Sequence, residues 1–245
     1  MKSILSVVLA ATFFFSSCTS TQIQNALGAL SGNNITSTEA ASGLKEALAK
    51  AFVSAITQTS QKDGFYGNSL IKIPWPEEAQ FVMNAMDKIG MSSQVDKVTL
   101  SLNRAAEKAS GEALDVFVQV VKQMTFKDAM GILLGGDGAA TEYLKRTTTS
   151  VLADKFRPII ESSLGSVNAT KYWSDAVGIY NKIPFVNKKV ETDLTTYVTQ
   201  MALKGVFEKV EEQENNIRDK VSFRNTALLQ KVFGYADTHK AEQNK

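Results

Sequence analysis

The stretch Met124-Thr-Phe-Lys-Asp-Ala-Met-Gly-Ile-Leu-Leu-Gly-Gly-Asp-Gly-Ala-Ala-Thr-Glu-Tyr-Leu-Lys-Arg-Thr148 decides how the chain is read. Thr125 is a helix-capping residue type. Asp128, three positions on, puts a carboxylate where unpaired backbone N–H groups and the positive end of the helix dipole lie. Gly135, Gly136 and Gly138 offer the positive φ that ends one helix and turns the chain into the next. The spacing predicts a helix, a glycine hinge and a second helix, with the other helices arranged about this joint.

Upstream of the joint, Leu44, Leu48, Phe52, Ala55 and Ile56 recur at helical spacing from Thr38 to about Thr59, with Lys45, Glu46 and Lys50 on other faces. Residues 62–78 form the longest irregular piece, rich in glycine, proline and aromatic residues. Ile71 to Ile73 has strand character, but a lone strand makes no sheet. Pro76 suits a first helical turn, with Glu77 and Glu78 on the favoured end of the dipole. The helix it opens carries Phe81, Val82, Ala85, Met86 and Ile89 before Gly90 stops it. Ser92 or Ser93 opens another, with Val95, Val98, Leu102 and Ala105 inward. Ser110-Gly-Glu112 restarts a helix whose stripe is Leu114, Phe117, Val118 and Val121.

Downstream, a long helix is expected over 139–163, bent or divided at Pro158. Asn168 or Thr170 caps the next, which carries Tyr172, Trp173, Val177 and Tyr180 and ends near Ile183-Pro-Phe185. The last long helix runs over 192–218, with Leu194, Tyr197, Val198, Met201 and Gly205 on one face. Its segment 208–214 is charged nearly all round and is expected to project or lie on the surface. A short helix over 225–233 docks by Leu228, Leu229 and Phe233, and 236–245 reads as a frayed polar tail. The motif Asp128-Ala-Met-Gly-Ile-Leu133 is echoed by Asp175-Ala-Val-Gly-Ile-Tyr180, which duplication and chance explain equally. The expected fold is all-α: a single domain, residues 37–235, of eight or nine helices with one long irregular aromatic and proline loop.

The N-terminus carries a different kind of information. Lys2, the apolar run Ile4 to Phe15, and Ser16-Ser17-Cys18 resemble a bacterial lipoprotein export signal, residues 1–17, with Cys18 as the acylated nucleophile. Phe15 stands where leucine is usual. The rival reading is an ordinary signal peptide with a stray cysteine. Residues 18–36, small and polar, read as a tether. Acyl chains on Cys18 imply a membrane-anchored protein with a soluble body. Thr19 follows the cysteine, and the resemblance to lipoproteins without aspartate at that place implies the outer membrane, with the body facing the periplasm.

Composition narrows the chemistry. The chain holds 27 Lys and Arg against 25 Asp and Glu, and one cysteine. A nearly balanced charge speaks against nucleic acid, which demands a clustered basic surplus. A single cysteine excludes an internal disulfide. The one histidine, His239, lies in the expected tail, which removes Ser–His and Cys–His catalysis and most zinc sites. Gly135-Gly-Asp-Gly138 lacks the Lys-Ser/Thr ending and preceding strand of a phosphate loop. Asp137 with Glu142 lacks the alternating oxygens of a calcium loop. No cofactor is expected. The carboxylate pairs Glu77 with Glu78 and Glu107 with Asp115 leave a hydrolase or lyase as an alternative.

The stronger candidates are polar groups among aromatics near helix ends. Asn103, Arg104 and Glu107 sit on neighbouring turns, and Arg146 and Lys155 follow the hinge. If these meet Tyr66, Trp75, Tyr172 or Trp173 across a groove, the result is a site for an anionic or sugar-like ligand. Ion pairs on helix surfaces are the alternative.

Lys62-Asp-Gly-Phe-Tyr66, Asn103-Arg-Ala-Ala-Glu-Lys108, Met124-Thr-Phe-Lys-Asp128, Gly138 to Thr149, Ala169-Thr-Lys-Tyr-Trp173 and Tyr180-Asn-Lys-Ile-Pro-Phe185 occur in this order. With the export signal they resemble the bacterial lipoprotein family catalogued as domain of unknown function 4197, over about residues 36–235. The resemblance implies export and an all-helical domain and supplies no catalytic residue. The expected function is a non-enzymatic binding or envelope-structural lipoprotein whose partner is an envelope protein or a small ligand. The alternatives are the carboxylate enzyme and a lipid carrier with an apolar cavity.

Overall fold

A computed structural model describes residues 35–88, 90, 92–166, 169–170, 173 and 193–243. Cys18, the leader, the tether up to residue 34, Tyr172, most of the helix expected over 170–183 and the echo at 175–180 lie outside the described residues. The described chain is all-helical, without a strand. No described helix is long and apolar enough to cross a membrane.

Helix α1 spans Ser37–Ser60. Thr36 caps it: the Thr36 hydroxyl accepts from the Glu39 N–H at 3.1 Å, and the Glu39 carboxylate accepts from the Thr36 N–H at 2.9 Å. A broad alanine-rich face, including Ala40, Leu44, Ala47, Leu48, Ala51, Phe52 and Ala55, is buried. Small side chains let α1 touch five other helices. A 3-10 turn, Glu77–Ala79, behind Pro76 leads into α2, Gln80–Lys88. Helices α3, Ser92–Ser110, and α4, Ala113–Gln123, follow. Phe117 of α4 lies 5.0 Å from Phe52 of α1 and 5.9 Å from Phe207, ring centre to ring centre. These aromatics join three helices, and each contributes about 1.5–3 kcal/mol by burial.

The joint has the expected start. Helix α5, Phe126–Leu133, is capped by Thr125 and Asp128 in a reciprocal box. Its end differs from expectation: Leu134 closes it in right-handed conformation, and of the three hinge glycines only Gly138 has positive φ, at 72°. Gly138 caps α6, Ala139–Gly165. Buried residues recur every fourth position along α6, at Leu144, Thr148, Leu152, Phe156, Ile160 and Leu164. The Thr148 hydroxyl donates to the Leu144 carbonyl at 2.7 Å, which lets a polar residue sit in that stripe. The helix continues through Pro158 and is not divided there. Pro158 and Asp154 are both exposed, so the carbonyl that proline leaves unpaired is on the wet side.

Helix α7, Leu194–Asp219, starts at Asp193, whose carboxylate accepts from the Thr195 and Thr196 N–H groups. Gly205 makes room for the loop of residues 61–76: a Cβ there would lie 2.5 Å from Cε1 of Phe65, which is wholly buried. Segment 208–214 does not project, because Lys209, Gln213 and Glu214 are buried. Lys209 pairs with Glu212, and Glu214 has partners on other elements. A 3-10 turn, Val221–Phe223, precedes α8, Ala227–Gln243. This last helix is longer than expected. It includes residues 236–243, where Ala236 is buried and Asp237 pairs with Arg224.

Candidate functional site

Three polar clusters stand out, and two of them are consumed by the fold. The first gathers four of the sequence candidates. Glu107, 4 % exposed, accepts from the N–H groups of Phe65 and Tyr66 at 3.2 Å each and from Arg104 Nη1 at 2.5 Å. Arg104 Nη2 reaches Asp63 Oδ1 at 2.7 Å. The bond to Glu107, opposed by burial and assisted by Asp63, raises the Arg104 pKa above its ordinary value. Asn103 acts as a strand partner in miniature. Its Oδ1 accepts from the Ile73 N–H at 2.8 Å, and its Nδ2 donates to the Ile73 carbonyl at 2.9 Å. The strand character at 71–73 is thus met by a side-chain amide of α3 rather than by a second strand.

The aromatic candidates divide. Trp75 and Trp173 are core residues, 6.5 Å apart with planes inclined at 60°. Trp75 Nε1 donates to Thr99 Oγ1 at 2.9 Å. Tyr66 is half-buried, with Lys72 Nζ 4.2 Å above its ring. Arg146 is exposed beside the Tyr143 ring of its own helix, and Lys155 is exposed further along α6. The structure therefore brings Tyr66, Asn103, Arg104 and Glu107 together against the 61–76 loop. Arg146 and Lys155 are elsewhere, and Tyr172 is outside the described residues.

The second cluster escaped sequence reasoning. Glu214 accepts from the Ala140 N–H and the Thr141 N–H, both at 2.9 Å, and from the Thr141 hydroxyl at 2.8 Å. One turn on, Arg218 donates from Nε to Glu214 at 2.9 Å and from Nη2 to the Ile132 carbonyl at 2.8 Å. The anion thus sits on the positive start of α6 and the cation on the negative end of α5, the favourable placement at both termini. The signal was present as Glu and Arg four apart, but their partners lie more than seventy residues away in the chain.

The third cluster faces solvent. A groove of about 470 Å³ runs between α1 and the end of α7, closed at one side by the 3-10 turn. Ala51, Ile217 and Phe223 supply its apolar surface, and Lys50, Ser54, Gln213, Ser222 and Asn225 its polar one. Lys50 Nζ donates to Asn225 Oδ1 at 2.5 Å and pairs with Glu46 at 2.9 Å. Gln58 Nε2 donates to Ser54 Oγ at 3.1 Å, and Ser54 Oγ donates to Gln213 Oε1 at 3.0 Å. Phe223 is 41 % exposed and Val221 66 %, an unusual pair for one short turn. None of the groove residues was a sequence candidate, because its walls come from positions some 160 apart and no local pattern marks them.

Among the described residues no group of three His, Cys, Asp or Glu side chains is placed to hold a metal ion. No curated protein and no solved structure matched the chain. The profile of the family described as Protein of unknown function (DUF4197) matches residues 34–234, and the chain belongs to that family.

Proposed function

We propose that this protein is a non-enzymatic binding lipoprotein of the bacterial envelope, held by acyl chains on Cys18 and using the groove between α1 and α7. The body would face the periplasm from the outer membrane. Its fold would have eight or nine helices once the helix expected over 170–183 is included, and residues 62–78 would be its irregular loop.

One contrast carries this reading. The buried carboxylates Glu107 and Glu214 each accept from two backbone N–H groups and a guanidinium and are all but closed to solvent, so they hold chain segments in place. A general acid or base needs a lone pair or proton free to meet substrate. The polar groups of the groove, by contrast, border open volume of small-ligand size.

Two experiments test it. Cys18→Ala should leave an exported protein in the soluble fraction, and unchanged membrane fractionation would defeat the anchor. Ser222→Trp fills the groove from an exposed position. Native mass spectrometry should show a small-molecule adduct on wild-type protein that this variant loses, whereas equal retention would place binding elsewhere.

A further inference from the structure

The hydrogen-bonding balance of the groove, taken with the binding role proposed for it, says what kind of group it would hold. Gln213 is 8 % exposed, and its Oε1 is committed to the Ser54 hydroxyl. Asn225 Oδ1 is committed to the Lys50 ammonium, which fixes the amide orientation, since a cation faces only an acceptor. Both amide NH2 groups are left for the open volume. Lys50 has spent two of its three N–H bonds, on Asn225 and Glu46, and keeps one. Among the described residues no carboxylate lines the groove. The lining thus offers two amide NH2 groups and an ammonium N–H, all of them donors. An ionised carboxylate, which only accepts and has two oxygens to share among several donors, matches that set, and its hydrogen bonds are charge-assisted. Ile217 and Phe223 line the same groove and ask for an apolar substituent.

We infer that the groove between α1 and the end of α7 binds a monocarboxylate with an apolar substituent. The carboxylate accepts from Gln213 Nε2, Asn225 Nδ2 and Lys50, and the substituent lies on Ile217 and Phe223. A peptide C-terminus and a free aliphatic acid share this chemistry.

The test is an NMR titration of the 15N-labelled chain, with export signal and Cys18 removed, following the side-chain amides of Gln213 and Asn225. The probes are octanoate with octanol, and N-acetyl-leucyl-leucine with its C-terminal amide. Both acids should shift those resonances saturably, with each uncharged partner about tenfold weaker or more, as loss of charge-assisted hydrogen bonds implies. The tighter acid identifies the source. Asn225→Leu, at an exposed position, should weaken the preferred acid about fivefold, with the circular dichroism spectrum unchanged. Equal binding of charged and uncharged probes, or no shift with any of the four, would overturn the carboxylate inference. Neither result touches the groove reading, which fails separately if Ser222→Trp keeps the native adduct.

Discussion

Arg218 donates from Nε to Oε1 of Glu214 at 2.9 Å, one turn away on α7, and both side chains are all but buried. The pair spans the glycine joint. An ordinary buried ion pair can be replaced by apolar residues at little cost, because desolvation offsets much of its attraction. This one also satisfies N–H groups at the start of α6 and a carbonyl at the end of α5, which no apolar side chain can do. Arg218→Met should destabilise the protein by about 3–5 kcal/mol in urea denaturation. The double variant Glu214→Leu/Arg218→Met should remain at least about 2 kcal/mol below wild type, because backbone groups stay unpaired. Recovery to wild-type stability would mean that the joint does not depend on these caps.

At Gly138 the backbone is left-handed, and a Cβ would also approach Glu211 Oε1 to 3.1 Å. Gly138→Ala should cost about 1–2 kcal/mol. Gly136, two residues earlier, has open space around it. Gly136→Ala should change stability by less than about 0.5 kcal/mol. Thermal unfolding of the two variants gives the comparison, and equal effects would refute the assignment of the turn to Gly138.

The carboxyl of Glu39 is held at about 2, against an ordinary 4.5, first by the hydrogen bond from Lys231 and then by the Thr36 N–H. Asp128 is likewise lowered, chiefly by the Thr125 hydroxyl. A carboxyl whose folded pKa is depressed stabilises the fold above its unfolded value, and that stabilisation is lost as pH falls through the folded one. The melting temperature should therefore fall between pH 4.5 and about 2 as the start of α1 loses its box. Glu39→Gln should flatten that acid limb by lowering the melting temperature at neutral pH while changing little near pH 2. An unaltered limb would show that Glu39 is not linked to folding.

Asn103→Ala removes both partners of the Ile73 backbone in a buried setting and should cost at least about 2 kcal/mol. Arg104→Ala breaks bonds to Glu107 and the half-exposed Asp63, but Glu107 keeps its two backbone donors. The loss should be near about 1 kcal/mol. Chemical denaturation separates the two, and a larger effect at Arg104 would reverse this ranking of amide over ion pair.

Helices with a single apolar face and a local cap were legible from the chain alone. Thr125 with Asp128 is self-contained within one turn, and Phe52 and Phe117 follow helical spacing that needs no distant information. Glu214 and Arg218 were not legible, since a charged residue reads as exposed unless its partner is known, and these partners lie on α5 and α6. Thr36 escaped notice as the cap of α1 because Thr38, the same residue type, stands two positions on. Asn103, Arg104 and Glu107 were singled out, but spacing cannot say whether an amide or carboxylate meets a ligand or the chain's own loop. The groove was invisible for the same reason as the Glu214–Arg218 pair: Ser54 and Gln213 become neighbours only through the packing of α1 on α7.

The account rests on the claim that binding happens at the α1–α7 groove and not at the Arg104 cluster. The most direct measurement is an unbiased fragment screen on the 15N-labelled mature body, mapping which backbone amides respond. Saturable shifts concentrated at Lys50, Ser54, Gln213 and Phe223 are expected. Shifts concentrated at Tyr66, Lys72 and Arg104, with the groove silent, would contradict it.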